Sequence, residues 1–416
     1  MAGLQRMIHN VREVELGDAT SYSDGRLTVS RDEAQDIVAH PALGQVRVSV
    51  TSPGDSVRIV KPLDVVEPRS KGPGGGGIYP GWLADVDQPR GEETHVLRGA
   101  AVLAAGFLPR LEEGLIDMSG PASDLSPFGS THNIVVEFEK ADDASWEAVD
   151  DAIRRGLLRL AAHLGDAALE AEPDTVEEPP APGPVGDLPR VGAIINLQTQ
   201  GSFKDVFVYG KTLANCLPTL VDPDELDDGI VVSGQYGHPA LRNPSYMHAN
   251  NPVVAALRRR HGGDLAFAGL VLSPEPVQQG AKEHISARAA DLCRVAGFDA
   301  VVITKEGGGN ADNDLSLKID ALADYGIPTA GLFAEMSGPG GTGTPVVSPP
   351  RSDATMVSLG NYDEQVSLPA VERALGGDRL HDADADATAE VEVPVAVILC
   401  ALNPLGWGHL TCREAA

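Results

Sequence analysis

The sequence predicts an α/β protein with two unlike halves, a β-rich α+β N-terminal domain and a doubly wound parallel-sheet α/β domain. Before residue 170, short strand patterns lie between turn residues; after residue 189, short apolar runs alternate with helical patterns. A segment rich in proline and acidic residues lies between them, and such a composition cannot bury a core. We therefore predict domains at 1–169 and 190–416, joined by a linker at 170–189.

The N-terminal half is expected to contain short strands followed by one long helix. The strand patterns are GRLTVS (25–30), QVRVSVT (45–51), DSVRIVKPLDVV (55–66) and HNIVVEFE (132–139). Apolar residues then recur every three or four positions, at Trp146, Val149, Ile153, Leu157, Leu160 and Leu164. This spacing predicts one buried face of an amphipathic helix.

Six apolar runs in the C-terminal half are typical of fully buried parallel strands. They are RVGAIINLQ (190–198), DGIVVSG (228–234), LAFAGLVLS (265–273), FDAVVITK (298–305), GIPTAGLF (326–333) and ATMVSLG (354–360). Helices are predicted in 251–263, 278–297 and 315–326, the second burying Ala281, Ile285, Leu292 and Val295. A last strand is predicted in VEVPVAVILCAL (391–402).

Doubly wound sheets bind ligands beyond the carboxyl ends of their strands. The loops expected there are QTQGS (198–202), SGQYGHP (233–239), SPEPVQQ (273–279), KEGGGNADND (305–314) and AEMSGPGG (334–341). These loops contain most of the polar residues for which a function is worth considering.

Composition excludes several classes of function. The formal net charge of −28 argues against a broad surface for nucleic acid or for an anionic membrane. The four cysteines form no CxxC pair and no Cys/His set with zinc spacing, so neither a structural zinc nor a disulfide scaffold is indicated. The N-terminus lacks an apolar signal core and no apolar run has transmembrane length, so we expect a cytoplasmic protein.

The glycine loop after residue 305 invites comparison with phosphate-binding loops. A Walker P-loop ends in Gly-Lys-Ser/Thr, which is missing here. Gly307 and Gly309 fit a dinucleotide fingerprint, but its third glycine position is Asp312. Glu335 would suit a ribose hydroxyl pair, whereas Glu306 and Asp312 would repel a pyrophosphate. Dinucleotide binding therefore remains a minor alternative.

A metal site is not expected. His238, His248 and Glu275 lie on neighbouring loops, but no sequence spacing places them on one face. Ordinary hydrogen-bonding histidines are the better interpretation.

The ordered motifs of the chain resemble one family. The N-terminal half contains SPGDSVRIVKPLDVVEPR, GGIYPG, THVLRG, GLIDMSG and HNIVVEF. The C-terminal half contains LPTLVDPDELDDGIVVSG, YMHANNPVVAALRRRHGGDLAF, KEGGGNADNDL, EMSG and SLGN. Over nearly its whole length the sequence resembles the α/β precursor subunit of component B of the glycine, sarcosine and betaine reductases, with D-proline reductase as a relative.

The resemblance implies a complex that reductively cleaves a carbon–nitrogen bond in a small amino acid or betaine. The family's precursor cleaves itself before a cysteine, which becomes a pyruvoyl group able to hold an amine as a Schiff base. This chain departs from that pattern, because Gln235-Tyr236 replaces the family's Asn-Cys pair after VVSG. Tyrosine has no nucleophile for a five-membered acyl shift and no β leaving group. We therefore expect no cleavage and no pyruvoyl cofactor here.

Two remote alternatives for cleavage remain. An Asn-Cys pair occurs at Asn215-Cys216, about twenty residues upstream, where a structural cysteine in or near a helix is the simpler interpretation. Ser233 offers an oxygen analogue of the acyl shift.

The resemblance also supplies the expected site. Glu306 and Glu335 are the expected catalytic residues, and Glu306 is the acid/base candidate. The expected substrate-binding residues are Gln235, Tyr236, Asn250, Asn251, Gly308, Asn310, Asp314 and Asn361. A partner subunit is expected to carry the reactive cysteine or selenocysteine, and the substrate to be a small amine or amino-acid-like molecule. The alternative is a catalytically silent scaffold subunit of the same complex.

Overall fold

The computed structural model describes residues 4–72, 77–86, 93–201, 203–234, 237–403 and 405–407. The helices and strands of the N-terminal half are β1 (Gln5–Asn10), β2 (Glu13–Gly17), β3 (Ser21–Ser23), β4 (Arg26–Ser30), α1 (Arg31–Val38), β5 (Leu43–Thr51), β6 (Val57–Val60), β7 (Pro62–Val66), β8 (Arg69–Lys71), β9 (Glu93–Arg98), β10 (Ala100–Ala105), β11 (Leu115–Asp117), β12 (His132–Lys140), α2 (Trp146–Asp166) and β13 (Thr175–Glu177).

The C-terminal half continues in the same way. Its elements are β14 (Arg190–Thr199), β15 (Phe207–Val208), β16 (Lys211–Thr212), β17 (Thr219–Val221), α3 (Asp224–Asp227), β18 (Val231–Val232), α4 (Ser245–Ala249), α5 (Pro252–Arg260), β19 (Ala266–Pro276), α6 (Gln279–Val295), β20 (Ala300–Thr304), α7 (Asn310–Ala323), β21 (Thr329–Glu335), β22 (Thr355–Asn361), β23 (Gln365–Leu368), β24 (Arg373–Leu375), β25 (Arg379–Leu380), β26 (Ala385–Asp386) and β27 (Val391–Pro394).

Two four-stranded sheets and helix α2 form the core of the N-terminal half. The strand orders are β13-β1-β9-β8 and β5-β12-β10-β7. Helix α2 begins at a side-chain cap, because Ser145 Oγ accepts the backbone N–H of Ala148. The face predicted from Val149 to Leu164 is buried as expected, and only Trp146 is half-buried. The β-rich character of this half is confirmed.

The parallel sheet predicted for the C-terminal half is present, with strand order β17-β19-β14-β20-β21-β22. Strand β17 is antiparallel to its neighbour, and the other pairs are parallel. The first parallel strand, β14, is followed by β19 on one side and then by β20 on the other. The order therefore reverses between β14 and β20, which is where doubly wound sheets bind ligands.

Both faces of this sheet are covered. Ile195 and Leu197 on β14 share a core with Val254 on α5. Ile194, on the opposite face of the same strand, shares a core with Ala289 on α6 and other residues of α6 and α7. Alternation along β14 thus places α5 on one face and α6 and α7 on the other, as a doubly wound sheet requires.

Three local expectations were wrong. DGIVVSG contributes only β18, which pairs with β15 in a small separate sheet. VEVPVAVILCAL ends as a strand at Pro394 and continues into a 3₁₀ turn, and Val395, Ile398 and Leu402 pack into a core shared with residues of both halves of the chain. Helix α6 buries Lys282, Ile285, Ala289 and Cys293 and leaves Val295 exposed, so its buried face is rotated from the expected one.

The two halves share structure. Strand β24 pairs with β6, and one hydrophobic core combines Val57 and Ile59 with Ala193 and Leu197. Within the 170–189 segment, β13 pairs with β1. The domain boundaries themselves remain a prediction. Each helix among the described residues is too short or too polar to cross a lipid bilayer.

A histidine pair lies in the first sheet, where β1 and β9 run side by side. His9 Nε2 lies 3.0 Å from His95 Nδ1, and the two rings are stacked. Burial and the neighbouring His95 lower the pKa of His9 to about 4. Burial also lowers the pKa of His95. The pair is therefore neutral in the folded protein at pH 7.

We predict that this pair weakens the fold in mild acid. The unfolded chain binds a proton at His9 near its ordinary pKa of 6.5, whereas the folded chain resists until about pH 4. The contribution of His9 to the free energy of unfolding is therefore present above pH 6.5 and is lost as the pH drops toward 4. Between pH 7 and pH 5 this loss is roughly 2 kcal/mol. Urea unfolding across that range should show a flatter pH dependence for His9→Gln. Exposed His284→Gln is the control, and an equal slope in the wild type and His9→Gln would contradict the prediction.

Candidate functional site

The candidate site begins at the carboxyl ends of the three strands beside the point of reversal. The register pairs Gln198 on β14 with Glu275 on β19, and Ile195 with Thr304 at the end of β20. Glu306 lies two residues beyond Thr304. The strand ends therefore bring two acidic residues and one amide to the same edge of the sheet.

Glu306 is completely buried and both of its carboxylate oxygens have partners. One oxygen accepts the backbone N–H of Gln198 at 2.7 Å. The other lies 3.0 Å from Nε2 of His248, on the short helix α4. Because a buried carboxylate without donors is costly, these two contacts fix the side chain and connect β14, the loop after β20 and α4.

Glu275 lies directly beside this group. Its carboxylate accepts the backbone N–H of Glu306, at 3.2 and 3.4 Å to its two oxygens. Complete burial, followed by the charges of Asp314 and Glu306, raises the pKa of Glu275 well above its ordinary value. Glu275 is therefore a carboxyl group that favours its protonated form. Its cross-strand neighbour Gln198 has an amide oxygen without a donor among the described residues.

Helices α6 and α7 add three buried charged residues on the adjacent face. Lys282 forms an ion pair with Asp314, and Lys318 Nζ lies 3.9 Å from the other oxygen of Asp314. All three side chains are at most 1% exposed. Burial lowers the pKa of Lys318, and its amine makes no hydrogen bond to any described residue. Such a concentration of buried ionisable groups marks a functional-site candidate.

Further polar atoms around these charges lack partners among the residues that the structure describes. They are both amide atoms of Asn196 and the hydroxyls of Ser273 and Ser286. Asn196 and Ser273 are cross-strand neighbours, and each lies two residues before Gln198 or Glu275 on its strand. Most buried polar groups in proteins are hydrogen-bonded, so this region departs from an ordinary core.

The glycine loop has the left-handed backbone that its sequence suggests. Gly307 and Gly309 have φ values of 73° and 64°. Asp312, at the third position of the dinucleotide pattern, is buried in an ion pair with Lys305 and accepts the backbone N–H of Val347 at 3.2 Å. A buried carboxylate at the first turn of α7 is unfavourable for a pyrophosphate, so no observation favours the dinucleotide alternative.

A second polar group lies at the ends of β21 and β22. Glu335 is half-buried, and its carboxylate accepts the hydroxyl of Ser358 at 2.5 Å and that of Ser337 at 3.4 Å. Asn361 Nδ2 donates to the carbonyl of Gly338 at 2.9 Å. Glu335 is therefore the expected catalytic carboxylate that retains some exposure.

The glycine loop that follows Glu306 lies next to the Glu335 group, as the surroundings of Gly308 show. A Cβ at this position would lie 2.8 Å from Met336 Sδ and 3.0 Å from Leu241 Cδ1. The glycine loop thus packs against the residue that follows Glu335.

The other expected site residues lie in different surroundings. Asn310 is exposed at the start of α7, and its carbonyl accepts Lys282 Nζ at 3.3 Å. Asn250 Nδ2 donates to Glu67 at 2.9 Å, and Asn251 Oδ1 caps α5 by accepting the N–H groups of Val253 and Val254. The two asparagines therefore do not join the Glu306 group.

Gln235 and Tyr236 lie outside the described residues. On one side of them, the N–H of Ser233 donates to Ser245 on α4 at 2.8 Å, and a Cβ at Gly234 would overlap the carbonyl oxygen of Asp205. On the other side, Leu241 adjoins Gly308. Both flanks thus contact elements of the candidate site.

Cys216, the remote candidate for cleavage, is exposed in a turn after β16 rather than in a helix, with its thiol 3.9 Å from the carbonyl oxygen of Thr212. His248 and Glu275 both contact Glu306, but the described residues contain no group of three or more His, Cys, Asp or Glu suited to hold a metal ion.

Lys282 and Lys318 were not expected from the sequence. Lysines on predicted helices usually lie in solvent, yet a signal was present. Lys318 falls three residues after Leu315 and four before Leu322, on the apolar face of α7, and Lys282 similarly precedes Ile285 by three. A lysine in register with an apolar helix face indicates a buried charge.

The family is settled by comparison with known proteins. Residues 3–413 match the family described as glycine/sarcosine/betaine reductase component B subunits. The chain belongs to this family.

Known family members are similar over most of their length. The glycine reductase complex component B subunits alpha and beta of Acetoanaerobium sticklandii are 34% identical, covering 88% of this chain and 87% of that protein. The corresponding protein of Peptoclostridium acidaminophilum is 32% identical, covering 97% of both chains. That organism's sarcosine reductase complex component B subunit alpha is 33% identical over 88% of this chain and 87% of its own. No solved structure matches the chain significantly.

The buried charges of α6 and α7 should contribute unequally to the free energy of unfolding. Asp314→Ala leaves Lys282 buried without its partner and should lower the free energy of unfolding by about 3–5 kcal/mol. Lys318→Met removes an amine that makes no hydrogen bond to a described residue, and should cost less than about 1 kcal/mol or stabilise. Urea unfolding at pH 7 measures both. Asp324→Ala, exposed at the end of the same helix, is the control. Equal losses of unfolding free energy for Asp314→Ala and Lys318→Met would contradict the prediction that buried Lys282 depends on its ion pair with Asp314.

Proposed function

We propose that this chain is an uncleaved, pyruvoyl-free subunit of a complex like the glycine, sarcosine and betaine reductases. The complex would act on a carbon–nitrogen type bond of a small amine or amino-acid-like substrate. The observation that carries the proposal is the acidic site at the strand ends, formed by Glu306, Glu275 and Glu335, in a member of this family whose cleavage position contains Gln235-Tyr236.

The residues present do not fit a pyruvoyl group at the family position. Self-cleavage there requires a side-chain nucleophile that attacks the preceding carbonyl and later leaves by β-elimination. The phenol of Tyr236 is too far from its own backbone for the first step, and its carbon–carbon bond provides no leaving group for the second. No step of the proposed chemistry therefore passes through a carbonyl cofactor.

The carboxyl groups account for the proton that such a reaction requires. When a neutral amine leaves carbon with the electron pair of the broken bond, its nitrogen must be protonated as the bond breaks. Glu335 is half-buried and is the carboxyl group proposed to meet the substrate. Glu306 supports the site from within the protein. Its carboxylate contacts His248, and its backbone N–H donates to Glu275, whose pKa is raised by burial.

The nucleophile is assigned to another subunit. Cys293 and Cys400 are buried, and burial raises the pKa of both thiols, that of Cys293 to about 12. Neither is suited to act as a thiolate. A partner with a reactive cysteine or selenocysteine would supply the attacking atom, consistent with relatives named as subunits of multicomponent reductase complexes.

A second candidate function has one observation in its favour. Glu306 has no exposed surface and both oxygens are bonded within the protein, which also suits a scaffold subunit without catalytic groups. The two functions differ in what loss of the half-buried carboxyl of Glu335 does to turnover of the assembled complex.

The absence of cleavage is directly measurable. Intact-mass analysis of the denatured chain should give one species near 43.5 kDa, unchanged by a carbonyl-trapping hydrazine, because no residue at the family position can form a keto group. Two fragments, one of them shifted by hydrazine, would refute the proposal. Their masses would identify cleavage at Cys216 or Ser233.

A further inference from the structure

A separate cavity lies between β1, β9, the 177–180 segment and helix α5. Its volume is about 590 Å³. Its lining among the described residues includes none of the side chains that contact Glu306. The cavity is therefore a different site from the acidic group at the strand ends.

The lining is unusual for a chain with a net charge of −28. Four arginines face three carboxylates, namely Arg6, Arg98, Arg258 and Arg259 facing Glu177, Glu178 and Asp227. Because Arg258 also pairs with Asp224, the lining charge without an ion-pair partner among the described residues is that of Arg259. A positive charge of this kind in a concave site attracts anions, even on an acidic protein.

Three of these arginines already hold a carboxylate, and one of them, Arg258, forms ion pairs with Asp224 and Asp227. Arg98 donates two parallel hydrogen bonds to the two oxygens of Glu177, at 2.7 and 3.0 Å. Arg6 Nη1 lies 3.6 Å from Glu177, while its Nη2 lies 2.5 Å from Asp227. This two-pronged geometry is the one by which guanidinium groups recognise carboxylates and phosphates. Glu177 thus occupies a preformed oxyanion position at the edge of the cavity.

The opposite wall has an unpaired charge and an apolar surface. Arg259 is exposed and makes no ion pair with any described residue. Leu226 and Val254 are buried apolar residues that line the same cavity. Asn251, only 4% exposed, caps α5 with its amide oxygen, and its amide nitrogen has no acceptor in the described part of the chain.

We propose that this cavity binds a small oxyanion carried on a short apolar chain, and that Glu177 competes for the same arginines. The ligand's carboxylate or phosphate replaces Glu177 at Arg98 and Arg6, Arg259 adds attraction, and its apolar part lies on Leu226 and Val254. Binding then frees the segment that carries Glu177. The site does not depend on the proposed function of the complex.

The competition is tested by two variants, Glu177→Gln and Arg259→Gln, which should change anion binding in opposite directions. Isothermal titration with butyrate and with ethyl phosphate distinguishes a carboxylate from a phosphate ligand, and butylammonium serves as the cationic counterpart. Glu177→Gln should tighten binding of the preferred anion by at least about fivefold, because the internal competitor loses its charge. Glu178→Gln, its exposed neighbour on the same segment, should change binding by less than about twofold.

Arg259→Gln should weaken binding by at least about threefold without changing the melting temperature, because Arg259 is exposed and unpaired in the described structure. Arg260→Gln is its matched control, since Arg260 pairs with Asp264 and does not line the cavity. The proposal is overturned if neither anion binds the wild type or Glu177→Gln, if butylammonium binds as well as the anions, or if Glu178→Gln tightens binding as much as Glu177→Gln.

Discussion

The carboxylate of Glu306 must find donors inside the protein, and the site is arranged around this constraint. Gln198 on β14 and His248 on α4 supply the two contacts, and the backbone N–H of Glu306 is in turn bonded to Glu275 on β19. One residue thereby connects three strand ends and a helix at the point where the sheet reverses. Replacing its carboxylate with a group that cannot accept both contacts would release Gln198 and His248 together.

Burying the charges of Lys282, Asp314 and Lys318 stabilises the protein less than an apolar core would. A buried ion pair is at best weakly stabilising, and Lys318 lacks even a hydrogen bond to the described residues. Polar atoms at Asn196 and Ser273 likewise have no partner there. Proteins tolerate such features mainly where chemistry needs them, which is why this region, rather than an apolar pocket, is taken as the centre of the candidate site.

Much of the fold could be predicted from the sequence because its signals are local. The apolar runs that became β14, β19, β20 and β21 are largely buried, the run that became β22 forms the edge, and the runs alternate with helical patterns that indicate a parallel sheet. DGIVVSG has the same composition, yet it pairs with β15 in a small sheet. Strand partners depend on distant segments, and no local pattern distinguishes the two cases.

The candidate site was only partly predictable for the same reason. Glu306 and Glu335 were expected at strand ends because their position follows from the order of the elements. The pairing of Gln198 with Glu275 depends on the register of two strands separated by three helices, and His248 reaches Glu306 across 58 residues of chain. Asn250 and Asn251 were grouped with Glu306 through family resemblance, whereas the structure commits them to Glu67 and to the cap of α5.

The most direct test of the account is turnover of the assembled complex with Glu335→Gln. The substitution keeps the shape of the side chain and removes its capacity to transfer a proton. We predict that Glu335→Gln reduces amine release by at least about 100-fold, whereas Glu364→Gln, at an exposed carboxyl group just after β22, leaves it unchanged. Full activity of a correctly assembled Glu335→Gln complex would contradict the catalytic assignment and leave the chain as a scaffold.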